Sequence, residues 1–163
     1  IYEGGIVFQV NEDGTGLVAD LQDLGWMDYY EAMSAAESST SQGYDDWYIP
    51  SLNELYTMYN TIGQGSPLGN VGGFLLHTYL SSTIFAWQYY DEVDFMSFEG
   101  GTIYSNSPLY DYNVRAVRAV SFEYGGCMDA AAFNFNPIAT SDDGSCIDIL
   151  LSCMDTTYSN FNS

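Results

Sequence analysis

Residues 49–63 read IPSLNELYTMYNTIG, and they decide how the rest of the chain is parsed. Ser51 and Glu54 stand at the S-x-x-E spacing that satisfies two free backbone amides at a helix start. Leu52, Leu55, Tyr59 and Ile62 then recur at helical spacing, and Gly63 follows where a helix stops. The spacing predicts an amphipathic helix packed on a core. A second helix is expected within GWMDYYEAMSAAESS, residues 25–39, where Asp28 and Glu31 share the capping spacing and Trp26, Tyr30, Met33 and Glu37 fall near one face. Upstream, GGIVFQV and LVADL read as strands joined through the turn NEDGTG. Downstream, TYLSST, FAWQYY, VDFMSF, TIYS and NVRAVRAVSF alternate as short strands between acidic or Gly-rich turns. Two helices between a leading strand and a strand-rich second half imply an α+β domain with a small antiparallel sheet.

Composition narrows the chemistry. Among 163 residues, 22 are Asp or Glu and two are Arg, with no Lys, for a net charge of −20. Such a field repels nucleic acid and anionic lipid, so neither is an expected partner. It suits divalent cations, cationic partners or neutral polymers, and salty surroundings screen its self-repulsion. No apolar run reaches the length of a membrane span, so no insertion is expected. Cysteine is absent before Cys127 and occurs three times after Gly126. That change marks a boundary, with one domain over 1–124 and a second region over 127–163.

Four stretches also carry a resemblance. GGIVF near the start, GYDDWYIPSLNEL from Gly43 to Leu55, YLSST from Tyr79 to Thr83, and VRAVRAV from Val114 to Val120 together resemble the collagen-like-adhesin C-terminal domain family. They stand in order over roughly 120 residues, which makes a chance match improbable. The resemblance implies a C-type-lectin-like fold related to the formylglycine-generating enzyme scaffold. It also implies chain ends close together on paired strands, and a long irregular segment that carries any binding site. Fold does not supply function. The oxidase chemistry of the formylglycine-generating relatives needs cysteine, which residues 1–126 lack. The Glu-Pro-Asn or Gln-Pro-Asp and Trp-Asn-Asp motifs of calcium-dependent lectins are absent as well.

Catalytic signals are weak. His77 is the one histidine; no G-x-S-x-G precedes Ser81 or Ser82, and a histidine held near the core is the simpler reading. Carboxylate pairs such as Asp91 with Asp94, or Glu92 with Glu99, are common by chance in so acidic a chain. Arg115 and Arg118 fall in one predicted strand, where alternation turns them to opposite faces, so each is expected to neutralise carboxylates inside the domain. Trp47 is expected to anchor the core. No catalysis is expected.

The segment from Trp87 to Asn113, WQYYDEVDFMSFEGGTIYSNSPLYDYN, has the Tyr, Ser, Asn and Gly content of recognition loops, where tyrosine supplies broad amphipathic contact. Tyr89, Tyr90, Tyr104, Tyr110, Tyr112 and Asn113 are the candidate ligand-binding residues, with a protein or a neutral glycan as partner. The competing reading is that these tyrosines pack strands.

The C-terminal region repeats itself: CMDAAAFNFN at Cys127 returns as CMDTTYSNFN at Cys153, an offset of 26 residues. Cys127 and Cys146 bracket a stretch too short and polar for its own core, and a disulfide between them would add on the order of 3 kcal/mol through the unfolded state. The same offset puts the partner of Cys153 near about position 172, so the chain reads as part of a longer protein, with a free thiol or an intermolecular bridge as alternatives. The unit resembles tandem Cys-Asx repeats of secreted surface proteins. Asp129, Asn134, Asn136, Asp142 and Asp143 form an oxygen-only set suited to calcium, although the spacing is not that of an EF-hand. Asx side chains also cap turns without metal. The expectation is an extracellular adhesion or recognition module, on a cell surface or virion surface, whose lectin-like domain is carried on a stapled stalk. The rival is a structural filament subunit that self-associates.

Overall fold

The computed structural model describes residues 1–86 and 91–149. The chain forms two compact units, Ile1–Ser121 and Phe122–Ser163. The first is an α+β domain. Its elements are β1 (Gly5–Val10), β2 (Thr15–Asp20), β3 (Gly25–Met27), α1 (Tyr29–Glu37), a 3-10 turn at Ser41–Gly43, α2 (Leu52–Thr61), β4 (Thr78–Ala86), β5 (Asp91–Ser97), β6 (Ile103–Asn106), β7 (Tyr112–Val114) and β8 (Val117–Ser121). No described helix is long and apolar enough to cross a membrane.

β1 and β2 form the expected hairpin. Gly14 takes φ of 83° in its turn, and the Asp13 carboxylate accepts the Thr15 amide at 3.0 Å and its hydroxyl at 2.7 Å. Those bonds hold the Asp13 carboxyl below its ordinary range. β8 pairs with the other edge of β2, in the order β1-β2-β8. The Tyr2 hydroxyl donates to the Ser121 carbonyl at 2.9 Å, so the two ends of the domain meet beside one strand.

The second sheet has the order β3-β7-β4-β5-β6. Alternation along β4 and β5 assigns each side chain to a face. Tyr79 and Met96, opposite one another, join Phe8, Leu55, Met58, Ile62, Phe74, Phe98 and Val117 in one core cluster with α2 and the three-stranded sheet. Leu80 and Phe95, the next pair in register, join Ala32, Ala36, Ile49, Val93, Tyr112 and Val114 in the other. The sheet is thus covered on both faces.

α2 matches its sequence signature. The Ser51 side chain accepts the Glu54 amide while Glu54 reaches back to the Ser51 amide, completing the capping box. Leu55, Met58 and Ile62 are buried. At Gly63 a Cβ would come within 2.9 Å of the Tyr59 backbone, which is why the helix ends on glycine.

α1 departs from its signature. Asp28 caps it, accepting the Glu31 amide at 2.9 Å, but Trp26 lies outside the helix on β3. Ala32 and Ala36 are buried, whereas Tyr30 and Met33 are 53% and 41% exposed. The small residues let the helix approach the sheet closely, which lifts the large side chains away from it.

The run NVRAVRAVSF is two strands, not one. β7 belongs to the five-stranded sheet and β8 to the three-stranded sheet, and the chain changes sheets at Arg115 and Ala116. Arg115, 2% exposed, is held by Asp23 Oδ1 on Nε at 2.6 Å and by the carbonyls of Asp20 and Gly72 on Nη1 at 2.9 and 3.0 Å. Its guanidinium lies 4.4 Å from the centre of the Phe74 ring. Arg118 donates to Asp46 Oδ1 at 2.6 Å and to the Glu3 carbonyl at 2.9 Å, with the Tyr44 ring 3.8 Å away. Trp47 is buried, with its indole donating to the Ser41 carbonyl at 3.0 Å.

The Tyr79 hydroxyl donates to Asp23 Oδ2 at 2.9 Å and accepts the Leu75 amide at the same distance. Burial first, and then the Asp23 carboxylate, push this phenol well above its ordinary 10.0 against the opposing pull of the Leu75 amide. Tyr48 is raised by burial and by Glu54. A folded pKa above the unfolded one means these groups contribute full stability below about pH 10 and lose it as pH rises further. Tyr79 and Tyr48 should therefore ionise only in the step that unfolds the domain. A tyrosinate absorbance titration checks this against Tyr79→Phe and Tyr48→Phe, which should each lack part of that late step; ionisation of both before unfolding would contradict it.

The second unit is small. β9 (Gly125–Gly126) and β10 (Ser141–Asp142) pair in parallel. Gly126, Cys127 and Ala132 are its buried residues among those described. Cys127 and Cys146 are disulfide-bonded, with Cα atoms 4.7 Å apart.

Candidate recognition site

β5 runs from Asp91 back toward the core, and β6 returns along it with Asn106 opposite Val93. Beyond Asn106 the chain turns through Ser107, Pro108 and Leu109. The Asn106 side chain accepts the Ser107 amide at 2.8 Å and the Ser107 hydroxyl accepts the Leu109 amide at 3.3 Å, so side chains shape this turn. The Tyr29 amide, at the start of α1, donates to the Pro108 carbonyl at 3.1 Å and ties the helix to the turn. Between them lies an open cleft of about 410 Å³. Tyr30, Asp91, Glu92 and the turn from Asn106 to Leu109 line it. The Tyr29 ring meets Tyr30 edge-on at 5.5 Å and fixes its orientation.

The candidate tyrosines divide by burial. Tyr104 is 50% exposed at the sheet edge and stacks on Phe95 at 5.7 Å. Tyr110 is 58% exposed in the loop before β7. Tyr112 is 6% exposed and packs on the other side of Phe95 at 4.2 Å. Burial pushes its phenol up, and the Asn106 side chain, bonded to it, pulls in the opposite direction. Asn113 is also 6% exposed, opposite Trp26 across β3 and β7. Burial removes Tyr112 and Asn113 from direct contact with a ligand in solution. Trp87, Tyr89 and Tyr90 lie outside the described residues.

Sequence reasoning placed Tyr30 on one helical face with Trp26, Met33 and Glu37 and did not name it among the candidate site residues. The signal that places it outward is the Ala32, Ala36 pair, whose small side chains at a spacing of four mark the contact stripe.

Among the described residues no catalytic grouping assembles around His77. It is exposed, not a core histidine, and its ring meets Trp26 edge-on at 5.9 Å. Ser81 is fully buried, its hydroxyl donating to the Asp94 carbonyl at 2.9 Å and accepting the Thr83 amide at 3.1 Å. Asp94 is 4% exposed and accepts the Ser105 hydroxyl at 2.6 Å, which separates it from Asp91 in the cleft lining.

In the second unit each of the five candidate calcium-binding side chains is engaged with backbone. Asp129, Asp142 and Asp143 accept the amides of Ala131, Gly144 and Ser145, and Asn136 accepts that of Ile138. Hydrogen bonds from Ser145 hold the Asp143 carboxyl below its ordinary range. Asn134 clasps two strands of chain, donating to the Ser145 carbonyl at 2.7 Å and accepting the Ile147 amide at 2.8 Å. Among the described residues no three acidic, histidine or cysteine side chains stand together as a metal-binding group. Cys153 and the second copy of the repeat lie outside the described residues.

No protein-family model matches the chain, and no curated protein matches it.

Proposed function

We propose that this chain is a non-catalytic recognition module, displayed extracellularly on a cell or virion surface, with a lectin-like domain that binds its partner and a disulfide-stapled repeat region that carries it. The observation that supports this reading is the cleft beside Tyr30, with Tyr104 and Tyr110 exposed nearby in sequence. An exposed aromatic ring beside carboxylate, amide and hydroxyl groups offers both apolar contact and orientation to a ligand. The disulfide supports an oxidising compartment. The partner is a protein or a neutral glycan, and a binding screen against both tests the reading. Tyr30→Ala and Tyr110→Ala should each weaken capture about tenfold without moving the urea midpoint, since a lost aromatic contact is worth roughly 1.4 kcal/mol. Capture that ignores both substitutions would sink the cleft as the site.

A filament subunit is the second reading, and exposed apolar side chains favour it: Leu68, Leu75 and Leu76 are 77%, 51% and 63% exposed. Sedimentation separates the two, because self-association through this segment should vanish in Leu76→Asp, whereas a recognition module stays monomeric in both forms.

Calcium enters this proposal through the second unit alone. Backbone hydrogen bonds already engage the five candidate side chains Asp129, Asn134, Asn136, Asp142 and Asp143, so the unit's melting should be the same in calcium and in chelator. A rise at roughly millimolar calcium would assign those oxygens to an ion.

A further inference from the structure

The cleft beside Tyr30 combines two features that meet in one kind of ligand. Asp91 and Glu92 are among the residues that line it, and Tyr30, Pro108 and Leu109 add apolar surface to the same lining. All three ion pairs among the described residues use other acids, Asp23, Glu3 and Asp46, and both arginines are buried where they make them. No lysine exists in the chain. The carboxylates of the cleft therefore have no cation of this chain's own to neutralise them.

The positive end of α1 does not invert this field. Two of its first three amides are taken, Tyr29 by the Pro108 carbonyl and Glu31 by the Asp28 carboxylate, so little of the helix end is left for an anion. A neutral ligand would leave two carboxylates to be desolvated without compensation. A long side chain with a cationic end answers both features: its aliphatic stem lies along Tyr30, Pro108 and Leu109, and its charge meets Asp91 and Glu92 while the Tyr30 ring adds cation–π attraction. Resting on the recognition reading above, we infer that the cleft takes a lysine or arginine side chain presented on the surface of a partner protein. The net charge of −20 steers such a partner toward the domain, and the cleft selects the side chain.

The test uses the full chain with a lysine-rich peptide, the same peptide with every lysine acetylated, and a pool of neutral oligosaccharides. Binding of the lysine peptide should weaken as salt rises, and acetylation should abolish it. The Asp91→Asn/Glu92→Gln double variant and, separately, Tyr30→Ala should each weaken it about tenfold. Glu12→Gln, in the β1–β2 turn, should change nothing. An equal loss in Glu12→Gln would mean diffuse attraction to a polyanion and would overturn the inference. Tyr30-dependent binding of the oligosaccharides or the acetylated peptide, with none of the lysine peptide, overturns the cationic ligand and leaves the recognition reading standing. If nothing binds, and a surface display of folded proteins also yields no Tyr30-dependent capture, both readings fail together.

Discussion

Replacing Arg115 with methionine should destabilise the first unit by about 3–5 kcal/mol, the range for breaking a buried ion pair from one side. The guanidinium is 2% exposed and serves one carboxylate and two carbonyls from two segments far apart in sequence. Methionine fills much of the volume yet leaves Asp23 without its cation and the Asp20 and Gly72 carbonyls without a donor. A domain of this size has only about 5–15 kcal/mol of total stability, so the variant should be near unfolding. Lysine should not rescue it, because one ammonium cannot serve these separate acceptors while lying flat on Phe74. Arg118→Met should cost less, about 1–2 kcal/mol, since Asp46 and Glu3 are 51% and 39% exposed and water replaces part of what is lost. Urea midpoints at unchanged slope measure both. A loss below about 1 kcal/mol in Arg115→Met would refute the claim that this buried ion pair and its two carbonyl bonds hold the segments of Asp20, Asp23 and Gly72 together.

Removing the disulfide should unfold the second unit and leave the first intact. The bridge spans a sequence separation of 19, and cross-links of that span contribute about 3 kcal/mol. With Gly126, Cys127 and Ala132 as the buried residues among those described, apolar burial has little with which to compensate. The double variant Cys127→Ser/Cys146→Ser should lose hydrogen-exchange protection at Phe133 and Ile147, whose amides bond the Ile147 carbonyl and the Asn134 side chain. Amides of α2 should keep theirs. Retained protection at Phe133 and Ile147 would show that the Asx turns suffice without the staple.

Much of the first unit's local structure is legible in its residues. The capping box at Ser51 and Glu54, the Asp28 cap and the β1–β2 turn all rest on contacts within a few positions, where sequence spacing is itself geometry. The internal role of Arg115 and Arg118 was legible for another reason: in a chain with 22 acids, two isolated cations have carboxylate partners wherever they lie. The exposure of the candidate site residues was not legible in the same way. Tyr104 and Tyr110 are exposed, Tyr112 and Asn113 are buried, and nothing within WQYYDEVDFMSFEGGTIYSNSPLYDYN separates them until the strands are paired.

Residue spacing alone determined the capped helix α2, the acidic surface, the change in character near Gly126 and the pairing of Cys127 with Cys146. Tertiary structure alone decided that VRAVRAV crosses from one sheet to another, that α1 turns its alanines inward, and that Tyr30 lines a cleft together with Asp91 and Glu92. The division follows from range. Caps, turns and a short disulfide loop close over a few residues, whereas the registers Gly25 with Val114 and Leu17 with Ala119 depend on which distant strand buries the larger apolar surface, and that competition has no local signature.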